Sequence, residues 1–175
     1  LEVFAPSRAA CNLARLDDLG RLPWRQLRAV VNAAAWTDVD RAEDLATLAM
    51  TLNGHAPGEI AARCAKAGIP LLHFSTDYVF DGSSPRPYRP EDETGPLNLY
   101  GETKLAGERA VSLAGGQHLI VRTGGLFAEA GPSFVSTIAT ALLEGKEPRC
   151  ADDTLVRPTS ASLLARASVT MLLSG

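Results

Sequence analysis

A tyrosine and a lysine stand four residues apart in this chain, at Tyr100 and Lys104. If the segment is helical, this spacing places the phenol and the ammonium on one helix face, about one turn apart. Free tyrosine has a pKa of about 10, and a neighbouring cation lowers that pKa towards the pH at which a proton donor works best. The pair predicts a tuned general acid, although a solvated helix face carrying the same two residues would look identical.

A second polar group precedes the pair, in the segment Ser75 to Tyr78. It follows an apolar run that is typical of a buried strand. A long run rich in proline and glycine, Asp81 to Pro96, then leads towards Tyr100, and loops of this length in compact domains are usually functional or disordered. Open α/β sheets bind their ligands just past the carboxyl ends of strands, so we expect a ligand site here.

Strand-like and helix-like segments alternate along the chain, which is the pattern of a parallel sheet covered by helices. Short apolar runs predict strands at Leu1 to Ala5, Ala29 to Ala35, Ile69 to Ser75 and His118 to Arg122. Amphipathic spacing predicts helices at Pro57 to Ala67, which Gly68 would cap, Leu99 to Leu113, Ser133 to Glu144 and Ser160 to Leu173. The crossover rule then favours an α/β fold, a doubly wound Rossmann-like parallel sheet with helices on both faces.

Composition limits the function classes. The chain has 175 residues, 46% of them hydrophobic and 21% charged, which fits one folded domain. A net charge of -3 gives no reason to expect a nucleic-acid partner, and no apolar run reaches the length of a membrane span. The three cysteines and three histidines lack ligand spacing, so we expect no metal site and no disulfide framework, and a reducing cytoplasm fits best.

Four stretches, in order along the chain, resemble a known family. They are Val31 to Glu43 (VNAAAWTDVDRAE), Ser75 to Gly82 (STDYVFDG), Pro96 to Glu108 (PLNLYGETKLAGE) and Pro158-Thr159. Together they are similar to the extended short-chain dehydrogenase/reductase superfamily, and within it to the dTDP-4-dehydrorhamnose reductase family. Several linked motifs at consistent spacing make a specific signal, whereas each one alone would be weak.

The resemblance implies an NAD(P)H-dependent reductase of the C4 ketone of a dTDP-4-keto-6-deoxy sugar, acting in dTDP-L-rhamnose biosynthesis. Thr76, Tyr100 and Lys104 match its catalytic set. Tyr100 would protonate the developing alkoxide, Thr76 would hydrogen-bond the carbonyl oxygen, and Lys104 would lower the pKa of Tyr100 while holding the cofactor ribose. The residues implied to bind the sugar substrate are Thr76, Asp77, Tyr78 and Gly125.

The resemblance also implies a cofactor-binding set. Its members lie at or after the ends of the first three predicted strands, or belong to the catalytic set. They are Ser7, Arg8, Asn12, Leu13, Ala33, Ala34, Ala35, Trp36, Thr37, Phe74, Ser75, Tyr100 and Lys104. Dinucleotide binders often carry an acidic residue for the ribose 2′-hydroxyl where this chain has Ser7-Arg8. An arginine without an acid favours a 2′-phosphate, so we expect NADPH rather than NADH.

The chain departs from the family pattern in four places. From the resemblance, we expect this chain to lack two parts of the family pattern, the glycine-rich turn that would come before Leu1 and most of the C-terminal portion. We therefore expect residues 1–175 to be an incomplete NAD(P)-binding Rossmann domain, inactive alone, that lacks most of the sugar-nucleotide portion. Gly125 stands where the rhamnose enzymes place a tryptophan against the sugar, and Thr154 and Val156 replace the usual glutamine and glycine after Asp152-Asp153.

Two other functions stay open. An epimerase or dehydratase of the same superfamily would use the same tyrosine and lysine. A non-catalytic regulatory or binding subunit could share the fold, although the joint presence of Thr76, Tyr100 and Lys104 favours chemistry. The expected partner is a dTDP-sugar, and the assembly is left open, with a homodimer as one option.

Overall fold

The computed structural model describes residues 2–129, 131, 133–150 and 156–174. The chain divides into two compact units, Leu1–Arg122 and Thr123–Gly175. The first unit carries a three-stranded sheet in the order β1-β2-β3, whose strands are β1 (Val30–Asn32), β2 (Leu71–Thr76) and β3 (His118–Thr123). Since β1 and β2 run parallel, their carboxyl ends lie at the same edge of the sheet.

The helices of the first unit connect and cover these strands. They are α1 (Arg41–Asp44), α2 (Ala46–Met50), a π-helical turn (Thr51–His55), α3 (Ala56–Ala67) and α4 (Leu99–Ala114), with short 3₁₀ turns at Leu16–Arg21, Trp24–Gln26 and Asp77–Val79. Gly68 ends α3 with a φ of 67°, as predicted. Parallel strands linked by helices confirm the α/β class. Within the described residues, no helix combines the length and the apolarity that crossing a membrane requires.

The second unit is smaller. It pairs two short parallel strands, β4 (Leu126–Phe127) and β5 (Thr159–Ser160), and carries the helices α5 (Phe134–Leu143) and α6 (Ala161–Ser174). Ser133 caps α5, because its hydroxyl accepts a hydrogen bond from the Ser136 N–H at 3.1 Å. Both predicted helices of this unit are confirmed. The Asp152-Asp153 segment lies outside the described residues.

Two strand predictions need correction. The strand predicted at Leu1 to Ala5 is wrong for its described part, since residues 2–7 have no regular structure and Val3 is 81% exposed. No described strand pairs with this segment, and an extended chain without a partner leaves its backbone groups to water. Leu1 itself lies outside the described residues. The strand predicted at Ala29 to Ala35 is only Val30–Asn32, because the alanines that follow leave the sheet.

A single apolar cluster holds α3 and α4 on the sheet. Its members are all nine-tenths or more buried: Leu19, Ile60, Ala61, Cys64, Ile69, Leu71 and Val111. They come from α3, β2, α4, the link between α3 and β2, and the 3₁₀ turn at Leu16–Arg21, so hydrophobic burial fixes the layer order of the unit. Helix α4, which carries Tyr100 and Lys104, therefore lies directly against β2.

Small residues let α4 approach the π-helical turn and α3 closely. A Cβ added at Gly107 would overlap the carbonyl oxygen of Asn53, and one added at Gly58 would lie 2.8 Å from the Cβ of Ala110. Both contacts leave no room for even one methyl group. Glycine at 107 therefore sets the distance between α4 and the π-helical turn.

We predict that Gly107→Ala destabilises the protein by about 1–3 kcal/mol, because the methyl group would push α4 away from the Asn53 carbonyl. Gly20→Ala is the matched control, since a Cβ at Gly20 would meet nothing within 4 Å. Urea unfolding of both variants measures the difference. Equal stability of Gly107→Ala and the wild type would show that the helices are not in close contact.

Candidate active site

The carboxyl end of β2 carries the first part of the site. Thr76 ends the strand and is 4% exposed. Its hydroxyl donates a hydrogen bond to Oδ1 of Asp77 at 3.1 Å and accepts one from the Tyr78 N–H at 3.2 Å. The second bond starts the 3₁₀ turn at Asp77–Val79, which leaves the Asp77 and Tyr78 side chains exposed beside Thr76. Asp77 and Tyr78, both predicted to bind the sugar, are therefore solvent-accessible.

Two side chains cap the amino end of α4. The side-chain Oδ1 of Asn98 accepts a hydrogen bond from the Gly101 N–H at 2.8 Å, and Oε1 of Glu43 accepts one from the Leu99 N–H at 3.0 Å. N-terminal N–H groups of a helix have no partner within the helix, so these acceptors stabilise the first turn. Tyr100 belongs to that first turn, so the two caps also stabilise the backbone that carries its ring.

The Tyr100 ring packs edge-to-face on Tyr78, with the ring centroids 5.6 Å apart and the planes at 83°. Burial raises the pKa of the Tyr100 phenol, a hydrogen bond with the Thr76 side chain opposes this change, and the charge of Asp77 adds to it. The phenol and the Thr76 hydroxyl are therefore neighbours. A raised pKa keeps the phenol protonated at neutral pH, which is the form that a proton donor requires.

Lys104 extends from α4 to β2. It is 3% exposed, and its ammonium donates a hydrogen bond to the carbonyl oxygen of Phe74 at 2.7 Å. Burial lowers the pKa of Lys104 to about 8, against a smaller opposing effect of the Glu108 carboxylate. Contrary to the expectation from the i,i+4 spacing, Lys104 is not among the causes of the shifted pKa of Tyr100, whose direction is upward.

The segment after β1 forms the neighbouring edge of the site. Ala33, Ala34 and Thr37 are exposed, and Ala35 and Trp36 are half-buried. The Asn32 side chain accepts a hydrogen bond from the Ala34 N–H at 3.3 Å, which turns the chain out of the sheet. Small exposed side chains at this point leave the backbone open to a flat ligand.

On β2, Phe74 is half-buried and Ser75 is 5% exposed. The Ser75 hydroxyl has no hydrogen-bond partner among the described residues. A buried hydroxyl without a partner is uncommon in folded proteins and indicates a ligand or an internal water. Ser75 directly precedes Thr76, so this hydroxyl belongs to the same strand end as the predicted catalytic set.

The remaining predicted cofactor residues have local contacts. Ser7 and Arg8 are exposed in a turn, and the Asn12 side chain accepts a hydrogen bond from the Ala14 N–H at 3.1 Å. Leu13 packs against the apolar cluster, a structural role. The cofactor contacts of these four residues stay predictions.

Gly125 lies between β3 and β4, in the second unit. Its φ is +55°, a backbone conformation that side chains other than glycine rarely adopt. A Cβ at this position would also lie 2.8 Å from Cγ1 of Val156. The local backbone thus does not accommodate the aromatic residue that the family resemblance implies here, and the role of Gly125 in substrate binding stays a prediction.

Asn53 is a functional candidate that the sequence analysis missed. It is fully buried in the π-helical turn, accepts a hydrogen bond from the Trp36 N–H at 2.9 Å, and donates to the Trp36 carbonyl oxygen and to Oγ1 of Thr103, each at 3.1 Å. It therefore ties the segment after β1 to α4, and π-helical turns are frequent at functional sites. Its sequence neighbours, Leu52 and Gly54, form no motif that could have revealed it.

His73 and Asn32 form a second buried pair. Nδ2 of Asn32 lies 3.1 Å from Nδ1 of the fully buried His73 ring. Burial lowers the pKa of His73 to about 3, and the charge of Lys104 acts in the same direction, so the ring is neutral. The described residues hold no group of three or more His, Cys, Asp or Glu side chains suited to a metal ion.

Comparison with known proteins decides the family. The sequence pattern of the family described as RmlD substrate binding domain matches residues 1–174. The chain belongs to this family. Among curated relatives, the dTDP-4-dehydrorhamnose reductase of Streptomyces griseus is 45% identical over 137 residues, which are 78% of this chain and 45% of that protein. The dTDP-4-dehydrorhamnose reductase of Burkholderia thailandensis is 39% identical over 165 residues, 94% of this chain and 55% of that protein.

A solved structure confirms the fold of this RmlD-family chain. The dTDP-4-dehydrorhamnose reductase of Bacillus anthracis, in complex with NADP, matches with a TM-score of 0.91 at 27% identity, over 97% of this chain and 60% of that one. The resemblance read from the motifs and the Rossmann-like fold class are thereby confirmed. The chain spans about half the length of the curated relatives it matches.

We predict that Asn53→Ala lowers the free energy of unfolding by about 1–3 kcal/mol, because the Trp36 N–H and carbonyl groups lose their partner. Thr51→Ala, in the same turn, is the control, since its hydroxyl bonds only the Thr47 carbonyl at an exposed position. Chemical denaturation followed by circular dichroism measures both. Comparable losses in the two variants would contradict a special role of Asn53.

Proposed function

We propose that the complete protein carrying this chain uses NADPH to reduce the C4 ketone of a dTDP-4-keto-6-deoxy sugar, in the manner of dTDP-4-dehydrorhamnose reductases. The observation that carries the proposal is the meeting of Thr76, Tyr100 and Lys104 at the carboxyl end of β2. The names of the curated relatives support the substrate class, and the NADP in the Bacillus anthracis structure supports the cofactor.

The described residues fit a bound dinucleotide at this edge of the sheet. Lys104 has three N–H donors and uses one of them on the Phe74 carbonyl, which leaves two for ribose hydroxyls. The Ser75 hydroxyl is buried without a protein partner, and Ala33 and Ala34 leave the backbone after β1 accessible. Within this chain, Arg8 is the residue that favours NADPH over NADH.

When bound, the reduced nicotinamide supplies the hydride that forms the new C–H bond at C4 of the sugar. The Thr76 hydroxyl, which here donates to Asp77, would turn to donate to the carbonyl oxygen of the substrate. Tyr100 would then transfer its phenolic proton to that oxygen as the negative charge develops. Lys104, one helical turn away and bonded to the Phe74 carbonyl oxygen, would hold the cofactor ribose beside Tyr100 through its remaining N–H donors.

Assay of the complete protein separates this proposal from the two other functions. NADPH oxidation that depends on a dTDP-4-keto-6-deoxy sugar supports the reductase. Conversion of a dTDP-sugar without net NADPH consumption would indicate an epimerase or dehydratase. A protein that binds neither NADPH nor the dTDP-sugar would favour a regulatory subunit. Cytoplasmic location and a homodimeric assembly stay predictions from the sequence.

We predict that Tyr100→Phe lowers kcat by about 10²–10⁴-fold, because the ring packing on Tyr78 is kept while the proton donor is lost. Ser112→Ala, which removes an exposed hydroxyl from the same helix, is the control and should stay close to the wild type. Spectrophotometric NADPH oxidation with saturating sugar nucleotide measures both. A Tyr100→Phe enzyme with the unmutated rate would refute the assigned role.

The pKa of Lys104 predicts the alkaline side of the pH profile. Burial lowers this pKa to about 8, so the cation is present below pH 8 and lost above it. Because kcat/KM reports groups of the free enzyme, we expect it to fall about tenfold per pH unit above that point. Lys104→Arg stays charged and should lack this limb, at lower overall activity. A wild-type profile that stays level to about pH 10 would contradict the assignment.

A further inference from the structure

The segment between the 3₁₀ turn and α4 is a compact loop with closed ends. The Gly95 N–H donates a hydrogen bond to the Val79 carbonyl oxygen at 2.9 Å, so the chain leaves and returns at one point. We call residues 80–94 the closed loop. Loops whose ends meet and whose own side chains fill them are compact and frequently functional. The predicted irregular run of Asp81 to Pro96 thus has a defined shape.

Side chains of the closed loop pack on one another. The rings of Phe80 and Tyr88 stack with centroids 4.1 Å apart and planes at 10°, and the Tyr88 hydroxyl donates to Oδ1 of Asp81 at 2.6 Å. Arg86 makes two hydrogen bonds of 2.8 Å to the two carboxylate oxygens of Asp92. Hydrogen bonding from Arg86 lowers the pKa of Asp92 to about 2, so this pair persists over the neutral range.

Arg122, on β3, joins the closed loop to the rest of the unit. Its Nε and Nη2 donate to the two carboxylate oxygens of Glu108 on α4, at 2.9 and 2.7 Å. Its Nη1 donates to the Pro90 carbonyl oxygen at 3.1 Å, and its guanidinium carbon lies 4.9 Å from the centroid of the Phe80 ring. One side chain therefore contacts β3, α4 and both sides of the closed loop.

The two ends of the closed loop lead directly to the candidate active site. Its first residue follows the turn that begins at Thr76 and carries Tyr78, and its return leads through the Asn98 cap to Tyr100. A change in the shape of the closed loop would therefore move Tyr78 and Tyr100 relative to each other. A displacement of about 1 Å at a reacting group can cost about a hundredfold in rate.

We propose that Arg122 is a positioning residue of the proposed active site, which acts by holding the closed loop in its folded form against α4. The inference rests on the proposed function, because the site that it serves is the reductase site. Arginine is required because its planar fork bonds Glu108 through two nitrogens while it stacks on Phe80 and reaches a carbonyl. A lysine at 122 has a single nitrogen, so it lacks the fork that bonds Glu108 while a third nitrogen reaches the Pro90 carbonyl.

The test uses the complete protein with Arg122→Lys and Arg122→Met, and with Arg109→Met as control, since Arg109 is an exposed arginine of α4. We expect both Arg122 variants to bind NADPH with an affinity within about twofold of the wild type, and to lose about tenfold or more in kcat/KM for the sugar nucleotide. Chymotrypsin should cut after Tyr88 faster in both variants and unchanged in the control.

The loop readout is independent of the reaction, so it separates the two proposals. A wild-type protein without reductase activity would refute the proposed function. The difference in chymotrypsin cleavage between the wild type and the Arg122 variants would still show whether Arg122 holds the closed loop. Wild-type kinetics and protease resistance in folded Arg122→Met would overturn the inference. Equal losses of NADPH affinity and of kcat/KM would also overturn it, because they indicate a general structural defect.

A further variant covers the case in which both Arg122 variants fail to fold. Tyr88→Leu removes the stacked ring of the closed loop and leaves the Arg122–Glu108 pair intact. It should reproduce the loss in kcat/KM with NADPH affinity retained. Unchanged kcat/KM in this variant would show that the shape of the closed loop does not matter to the site, and would overturn the inference.

Discussion

The hydrogen bond from the Lys104 ammonium to the Phe74 carbonyl, at 2.7 Å, is the contact on which the candidate active site depends. A buried cation requires a polar partner, and this one is the backbone of β2, just before Thr76. Because Tyr100 lies one turn before Lys104 on α4, the same bond determines where the phenol stands relative to Thr76. The pKa of Lys104 is lowered because burial disfavours the charged form of its side chain.

Three other features keep α4 in the place that this bond requires. Gly107 permits close approach to the π-helical turn, Asn53 joins α4 to the segment after β1, and the Arg122–Glu108 pair joins α4 to β3. The first two act on the face of α4 that carries Thr103 and Gly107, and the third acts through Glu108. The proposed chemistry therefore depends on the position of one helix, and residues without any contact to a substrate can affect it.

The sequence predicted those parts of the fold that depend on local pattern. Helix α4 was predictable because its apolar face is periodic, and β2 because it is a short continuous apolar run. The helical stretch Arg41–His55 was missed, since its buried positions are small alanines and a π-helical turn breaks the period. The direction of Lys104 could not be predicted, because its partner is a backbone carbonyl thirty residues away. The strand at Leu1 to Ala5 was wrong because apolar pattern alone cannot show whether a partner strand is present.

The fate of the transferred hydrogen tests the central claim, that this strand end and helix form one site for carbonyl reduction. The complete protein would be given a dTDP-4-keto-6-deoxy sugar and NADPH deuterated in turn on each face of nicotinamide C4, with the product followed by NMR. We expect one of the two labels to appear at C4 of the sugar, and only there. Consumption of NADPH that leaves the sugar unlabelled with both forms would contradict it.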